Sequence, residues 1–115
     1  MKTVAWLILP VACTLLVAPA PPAEAGSYER CKPVSNPYPN TRYEGIPLSR
    51  IRAQDVGCHR ARRVARGAHR KALREPNAGS VERFTWRGWK VKGDLSGPHD
   101  RYIARRGEKR VRWQF

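Results

Sequence analysis

The sequence of 115 residues is poor in acidic residues and in long apolar segments, and each shortage excludes a class of protein. It has 9 Asp and Glu against 23 Lys and Arg, so its formal net charge of +14 points to anionic partners. After Ala18, no apolar run approaches the roughly 20 residues that a membrane-spanning helix needs. The 3 histidines are too scattered for a recognisable metal-ligand set, so we predict neither a metal nor a cofactor.

The first 25 residues are typical of a Sec signal peptide. Lys2 precedes an apolar run that ends at Ala18, is interrupted by Pro10 and is too short to span a bilayer. Small residues at Ala23 and Ala25 then supply a cleavage site. We therefore expect cleavage after Ala25 and a secreted or extracytoplasmic domain made of residues 26–115.

The chain has 3 cysteines, and the predicted cleavage removes one of them. Cys13 lies in the signal peptide, which leaves Cys31 and Cys58 in an oxidising compartment. We predict that these two form a disulfide. In the chain-entropy model the bond contributes roughly 3.5 kcal/mol to stability, a large share for a small domain.

Two regions differ in their local pattern before residue 75. Residues 26–49 are rich in proline, asparagine and glycine, which predicts an extended arm without a regular helix. A helix is predicted from Asp55 or Cys58 to about Arg74, with Asp55 as a possible N-cap and Pro76 beyond its end. Residues 50–115, which include this helix, are expected to form a small α+β domain.

The predicted helix has two chemically distinct sides. One side is apolar and predicts the surface that packs inward: Cys58, Ala61, Val64, Ala65, Ala68 and Ala72. The other side carries arginines at spacings of three or four, which we call the helix ridge: Arg60, Arg63, Arg66, Arg70 and Arg74. Gly67 falls on the exposed side, where it should weaken the helix by about 1 kcal/mol relative to alanine.

Beyond residue 79 the apolar period changes from 3.6 to 2, which predicts strands. Alternation is visible at Phe84–Trp86, Trp89–Val91 and Val111–Phe115, with a bulge or bend at Gly88 and a hairpin turn at 106–108. The tryptophans are expected in the core, with Trp86 partly exposed. The sequence therefore predicts an α+β domain, with one helix packed on a small antiparallel sheet of about three strands and an extended N-terminal arm.

Several spaced motifs resemble a class of small secreted actinobacterial proteins. The motifs are Val56-Gly57-Cys58 at the helix start, Gly88-Trp89, and the basic, aromatic end at 111–115. In that class a helix opens at a cysteine, and a Gly-Trp-x-Cys segment and a further cysteine follow. Val91 and Ala104 stand where the resemblance places this second cysteine pair, which implies that they face each other across neighbouring strands. The class implies a fold rather than an activity.

We expect a non-enzymatic exported domain whose basic surface, the helix ridge in particular, associates with anionic polymers. Envelope phosphates, acidic glycans or extracellular nucleic acid would each fit. The alternative is a protein-interaction module, such as a small inhibitor or an envelope assembly factor, that presents the segment from Lys32 to Pro47. A third interpretation is a small secreted hydrolase such as a ribonuclease, using Glu82 with His99 or His59. A GC-rich genome also produces arginine-rich composition, so charge alone does not choose among them.

Overall fold

The computed structural model describes Thr3, residues 27–75 and residues 79–115. Apart from Thr3, the predicted signal peptide, residues 1–25, and its cleavage site lie outside the described residues. The described ranges contain one helix and a six-stranded sheet. The elements are β1 (Glu29–Arg30), β2 (Ser49–Gln54), α1 (Cys58–Arg74), β3 (Val81–Trp86), β4 (Trp89–Asp94), β5 (Arg101–Arg106) and β6 (Lys109–Gln114).

The strands form one antiparallel sheet in the order β1-β2-β6-β5-β4-β3. The prediction of about three strands with an extended arm outside them is wrong, because four strands follow α1 and the residues before it supply β1 and β2. The arm also forms an isolated bridge between Val34 and Leu48. Strand β1 has no apolar alternation to reveal it. The apolar residues of β2, Ile51 and Ala53, lie beside β6 at the other end of the chain.

Helix α1 packs on one face of the sheet, which we call the covered face, and leaves the other as the open face. The predicted alternation is present. In β4, for example, the side chains alternate between buried and exposed from Trp89 to Asp94. Trp89 and Trp113 are buried on the covered face and Trp86 is half-buried. Val91 pairs directly with Ala104, which confirms the expectation that these two face each other.

Two tight turns set the register of the last four strands. Arg87 and Gly88 both have positive φ, 45° and 82°, as a type I′ turn requires, so the chain reverses between β3 and β4. The predicted bulge or bend at Gly88 is therefore wrong, since the shift in apolar phase is a complete chain reversal. Gly107, with φ of 58°, begins the turn between β5 and β6 and confirms the predicted hairpin.

Helix α1 begins at Cys58 and ends at Arg74, as the pattern predicts. Its buried residues are Ala61, Val64, Ala65, Ala68, His69 and Ala72, so the alanine-rich side does face the sheet. His69 is the one buried residue of α1 outside the predicted apolar side, because that side was defined by Cys, Ala and Val and histidine is polar. The predicted N-cap, Asp55, is wrong, because Gly57 occupies that position and no side chain caps the helix.

The contact between α1 and edge strand β3 depends on Gly67. A Cβ atom at this position would overlap the indole ring of Trp86. The prediction that Gly67 lies on an exposed side is therefore wrong, since the tryptophan of β3 reaches over the helix at this point. One turn later, the Lys71 ammonium donates a hydrogen bond of 2.7 Å to the carbonyl of Thr85 on β3.

Several contacts attach the arm to the rest of the domain. Strand β1 pairs with Arg52 and Ala53 of β2. Cys31 and Cys58 form the predicted disulfide, with Cα atoms 5.3 Å apart, which ties the arm to the start of α1. The Val34–Leu48 bridge joins two residues of the arm itself and closes the loop between them. Further along, the hydroxyl of buried Tyr38 lies 2.5 Å from Nδ1 of His69. Within the described residues, no helix combines the length and the apolar character required to cross a membrane.

Candidate functional site

The helix ridge lies along the side of α1 that faces away from the sheet. Its residues, Arg60, Arg63, Arg66, Arg70 and Arg74, are all exposed. At 1.5 Å of rise per residue, the ridge extends over about 21 Å. The structure thus places these arginines on one accessible line, while their role in binding remains a prediction.

The open face of the sheet is a second cationic surface, which the sequence analysis did not single out. Each strand places alternate side chains on this face, and most of them are basic. The basic residues of the open face are Arg30, Arg52, Arg83, Lys90, Lys92, Arg101, Arg105, Arg110 and Arg112. In the described part of the chain, Asp94 is the one acidic residue at an outward strand position. The open face is therefore strongly positive.

Strand register arranges these cations in rows across the sheet. The middle row runs through all six strands and, from β3 to β1, consists of Arg83, Lys92, Ile103, Arg112, Arg52 and Arg30. Neighbouring strands are about 4.8 Å apart, so this row measures about 24 Å. A parallel row consists of Thr85, Lys90, Arg105, Arg110 and Gln54. An extended anion that crosses the strands would meet a cation at most steps.

An open groove of about 480 Å³ lies over part of this face. Arg50, Arg52, Arg101, Arg105 and Arg112 are among the residues that line it. Arg50 belongs to an irregularity in the pairing of β2 with β6, and its φ of 48° is rare for a residue with a side chain. Such bulges re-aim side chains. Here the irregularity adds Arg50 to the groove.

Two charged residues of the open face, Asp94 and Arg112, make local contacts within the molecule. The hydroxyl of Ser96 donates a 2.6 Å hydrogen bond to Asp94 and its backbone N–H donates one of 3.1 Å. These bonds lower the pKa of Asp94, so the carboxylate stays ionised while it accepts hydrogen bonds from Ser96. The guanidinium of Arg112 lies 4.6 Å from the ring centroid of Tyr28, and this arrangement occupies one side of that ring.

The covered face contains a polar cluster of a different kind. His69 is fully buried between Tyr38, Tyr102 and Phe115, and burial lowers its pKa to about 4. Glu82 is also buried and accepts a hydrogen bond from the Tyr102 hydroxyl. Burial raises the pKa of Glu82, and the Glu75 carboxylate raises it further. The cluster sits inside the contact between helix and sheet, where it fixes the packing.

The residues named for a hydrolase are distributed over three parts of the molecule. Glu82 lies on the covered face beside Tyr102, and its buried carboxyl is not presented to solvent. His59 is exposed in the first turn of α1, and His99 is exposed in the loop between β4 and β5. The structure therefore gives Glu82 a packing contact rather than an accessible position beside a histidine.

Comparison with protein-family models, with curated proteins and with solved structures finds no match to this chain. The similarity to small secreted actinobacterial proteins accordingly stays a prediction. The most distinctive feature of the molecule is its pair of cationic surfaces, the helix ridge and the open face.

Proposed function

We propose that this protein is an exported, non-enzymatic domain that associates with anionic polymers outside the membrane. Envelope phosphates, acidic glycans and extracellular nucleic acid all carry the required charge. The observation that carries the proposal is the middle row of the open face, where five of the six strands contribute a basic side chain and Ile103 of β5 is the exception. The Cys31–Cys58 disulfide supports export, since such bonds persist in oxidising compartments.

Electrostatics accounts for both the attraction and its lack of selectivity. A surface of one sign raises the local concentration of counter-charged polymer and accelerates association. Arginine predominates on the open face, and its planar fork makes bidentate hydrogen bonds with phosphate or carboxylate. Each neutralised phosphate releases condensed counterions, so affinity should fall steeply as the salt concentration rises.

The test compares the salt dependence of binding for matched variants of the exported protein. On heparin resin, replacing Arg52, Arg105 and Arg112 with Gln should lower the salt concentration needed for elution. It should also reduce the slope of log K against log salt by roughly 2 to 3, because each lost contact contributes about 0.9. The control replaces exposed Lys32, Arg42 and Arg106, which removes the same charge elsewhere.

The control should elute close to the wild type. Equal losses in the two variants would mean that net charge rather than the open face governs retention. A wild type that passes through the resin at low salt would refute polymer binding. The helix-ridge variant, with Arg63, Arg70 and Arg74 changed to Gln, should also lose slope while keeping its fold.

A protein-interaction role is the second candidate, and the way the arm is held favours it. The segment from Lys32 to Pro47 is fastened by the disulfide, by the Val34–Leu48 bridge and by Tyr38, yet most of its residues are exposed. Ile46, near the end of this segment, is 40% exposed. A preorganised loop loses little entropy on binding a partner. Partner capture that persists at moderate salt would favour this role, since screening weakens a purely electrostatic contact.

A further inference from the structure

The two cationic surfaces lie on opposite sides of the molecule. Helix α1 contacts the covered face through its alanine-rich side, and the helix ridge is on the side away from the sheet. The open face is the reverse of the sheet on which α1 packs. A helix with its side chains is about 10–12 Å thick, and the sheet adds to that separation. The ridge and the open face are therefore back to back.

Each surface acts on its own. At physiological ionic strength the Debye length is about 8 Å, which is shorter than the distance through the helix and the sheet. Exposed acidic residues lie at the ends of α1, Asp55 before it and Glu75 after it. These carboxylates interrupt the positive charge at the two ends of the helix that carries the ridge. Geometry and charge both favour separate occupants for the two surfaces.

The chemistry of the surfaces indicates which polymer fits. The ridge consists of arginines, whose guanidinium groups make bidentate hydrogen bonds with phosphate or carboxylate oxygens. Proteins that bind single-stranded nucleic acid combine a positively charged groove with aromatic side chains on which the bases stack. Among the described residues at outward positions of the strands there is no Phe or Trp, and the Tyr28 ring is paired with Arg112. The surfaces suit an aliphatic phosphodiester chain, which has charge but no rings to stack.

We propose that one molecule binds two aliphatic phosphodiester chains at once, one on the helix ridge and one on the open face, and so bridges them. The inference rests on the proposed function, because it needs both surfaces to bind polymer. It goes further by making the protein a non-covalent crosslinker. Bivalent attachment also raises the apparent affinity for a dense polymer layer well above that of either surface alone.

The experiment tests whether protein that is bound to an immobilised chain can also hold a second, labelled chain. End-biotinylated glycerol-phosphate oligomers are fixed on beads, the exported protein is added, and fluorescent oligomers of the same length are offered. The wild type should retain fluorescence on the beads, with a maximum at intermediate protein concentration and a decline when excess protein occupies each chain separately. Fluorescence polarisation measures binding to a single free chain in parallel.

Two variants with equal charge change separate the surfaces. The ridge variant changes Arg60, Arg63, Arg66, Arg70 and Arg74 to Gln, and the face variant changes Arg52, Arg83, Lys92, Arg105 and Arg112 to Gln. Each should still bind one chain by polarisation but lose capture by roughly tenfold or more, since only one attachment remains. Should either fail to fold by circular dichroism, the threefold variants described above replace it.

The possible results give distinct answers. Capture by either variant at the wild-type level would overturn bridging through two faces of one molecule, and would point to bridging by a dimer. Binding in polarisation without capture by the wild type would overturn it as well, while leaving the proposed function intact. Absence of binding in polarisation at low salt would refute the proposed function itself. Stronger capture of oligodeoxythymidylate with the same number of phosphates would overturn the aliphatic assignment.

Discussion

The two faces of the sheet are built from the same strands and yet have opposite chemistry. On the covered face, Trp113 stacks on Tyr102 with ring centroids 5.3 Å apart, and both are buried. On the open face, the intervening residues Arg112 and Arg101 are exposed. Because side chains alternate along a strand, adjacent positions can serve unrelated purposes. The comparison implies that the covered face maintains the fold and that the open face is free to carry charge.

The largest effect should come from removing an aromatic ring on the covered face. Trp113→Ala should lower the free energy of unfolding by about 3–5 kcal/mol, because it leaves a cavity in the core. The neighbouring change Arg112→Gln should cost less than about 1 kcal/mol, since that side chain is exposed and contacts Tyr28 only through a cation–π interaction. Urea unfolding of both variants measures the difference. Similar losses would mean that the open face also maintains the fold.

The disulfide should have the next largest effect, because it fastens the arm to the helix that covers the sheet. Replacing Cys31 and Cys58 with Ala should lower the free energy of unfolding by about 3.5 kcal/mol and the Tm by roughly 15–25 °C. Thermal unfolding with and without reductant gives the measurement. Reductant should leave the double variant unchanged, and a wild type that is equally stable in reductant would contradict the prediction.

The buried histidine of the covered face should make stability depend on pH. The pKa of His69 is about 4 in the folded protein against 6.5 for the free side chain, so the unfolded chain binds more protons between these values. Stability should therefore fall as pH falls from about 6.5 to 4, by roughly 3 kcal/mol in total. Unfolding curves at several pH values would show this slope.

The matched controls for that slope are two histidine variants. His69→Gln should flatten the pH dependence even though it lowers stability at neutral pH. His99→Gln, in an exposed loop, should leave the slope unchanged. The raised pKa of Glu82 acts in the opposite direction, since its contribution weakens as pH rises, but it is common to all three proteins. An unaltered slope in His69→Gln would assign the dependence to other groups.

The smallest effect concerns the contact between Gly67 and Trp86. Gly67→Ala should destabilise the protein by about 1–3 kcal/mol, because the new methyl group would displace the indole ring. In a Trp86→Ala background the same change should stabilise by about 1 kcal/mol, the ordinary preference of a helix for alanine. This reversal of sign, measured by chemical unfolding of the four proteins, tests whether the ring lies where the structure places it. A gain in both backgrounds would contradict it.

Features that depend on residues close together in the sequence were predictable, while contacts between residues far apart in the sequence were not. The bounds of α1 follow from the 3.6-residue period and from Pro76, and the disulfide follows from having two cysteines outside the predicted signal peptide. The six-stranded sheet depends on pairing β2 with β6 across α1 and three intervening strands, and no local pattern specifies such a pairing. The contact of Trp86 with Gly67 is likewise between residues distant in the sequence. The spacing of apolar residues along the helix therefore placed Gly67 on an exposed side, where the structure has a contact.

The same difference between near and distant residues explains why the helix ridge was predicted and the open face was not. The helix ridge belongs to one element, so its spacing was sufficient to find it. The open face needs the strand order, which brings Arg52 beside Arg112 and Lys92 beside Arg83. A signal was present, because basic residues occupy the polar phase of the alternation in β3, β4 and β6. Polar positions of a strand are usually just solvent-exposed. The rows of basic residues can be recognised only when the order and register of the strands are known.

The hydrogen bond from Lys71 to the carbonyl of Thr85 bears on how crowded molecules behave. Edge strands attract other chains because their backbone groups are unpaired, and charged side chains at an edge discourage this zippering. In β3 a carbonyl is already engaged by an ammonium group of the same molecule. Like charges on Arg83 of two approaching molecules would add repulsion. If the protein binds polymer as proposed, molecules concentrated on a polymer surface would be less prone to pair through β3, and their salt-sensitive contacts with the polymer would remain dominant.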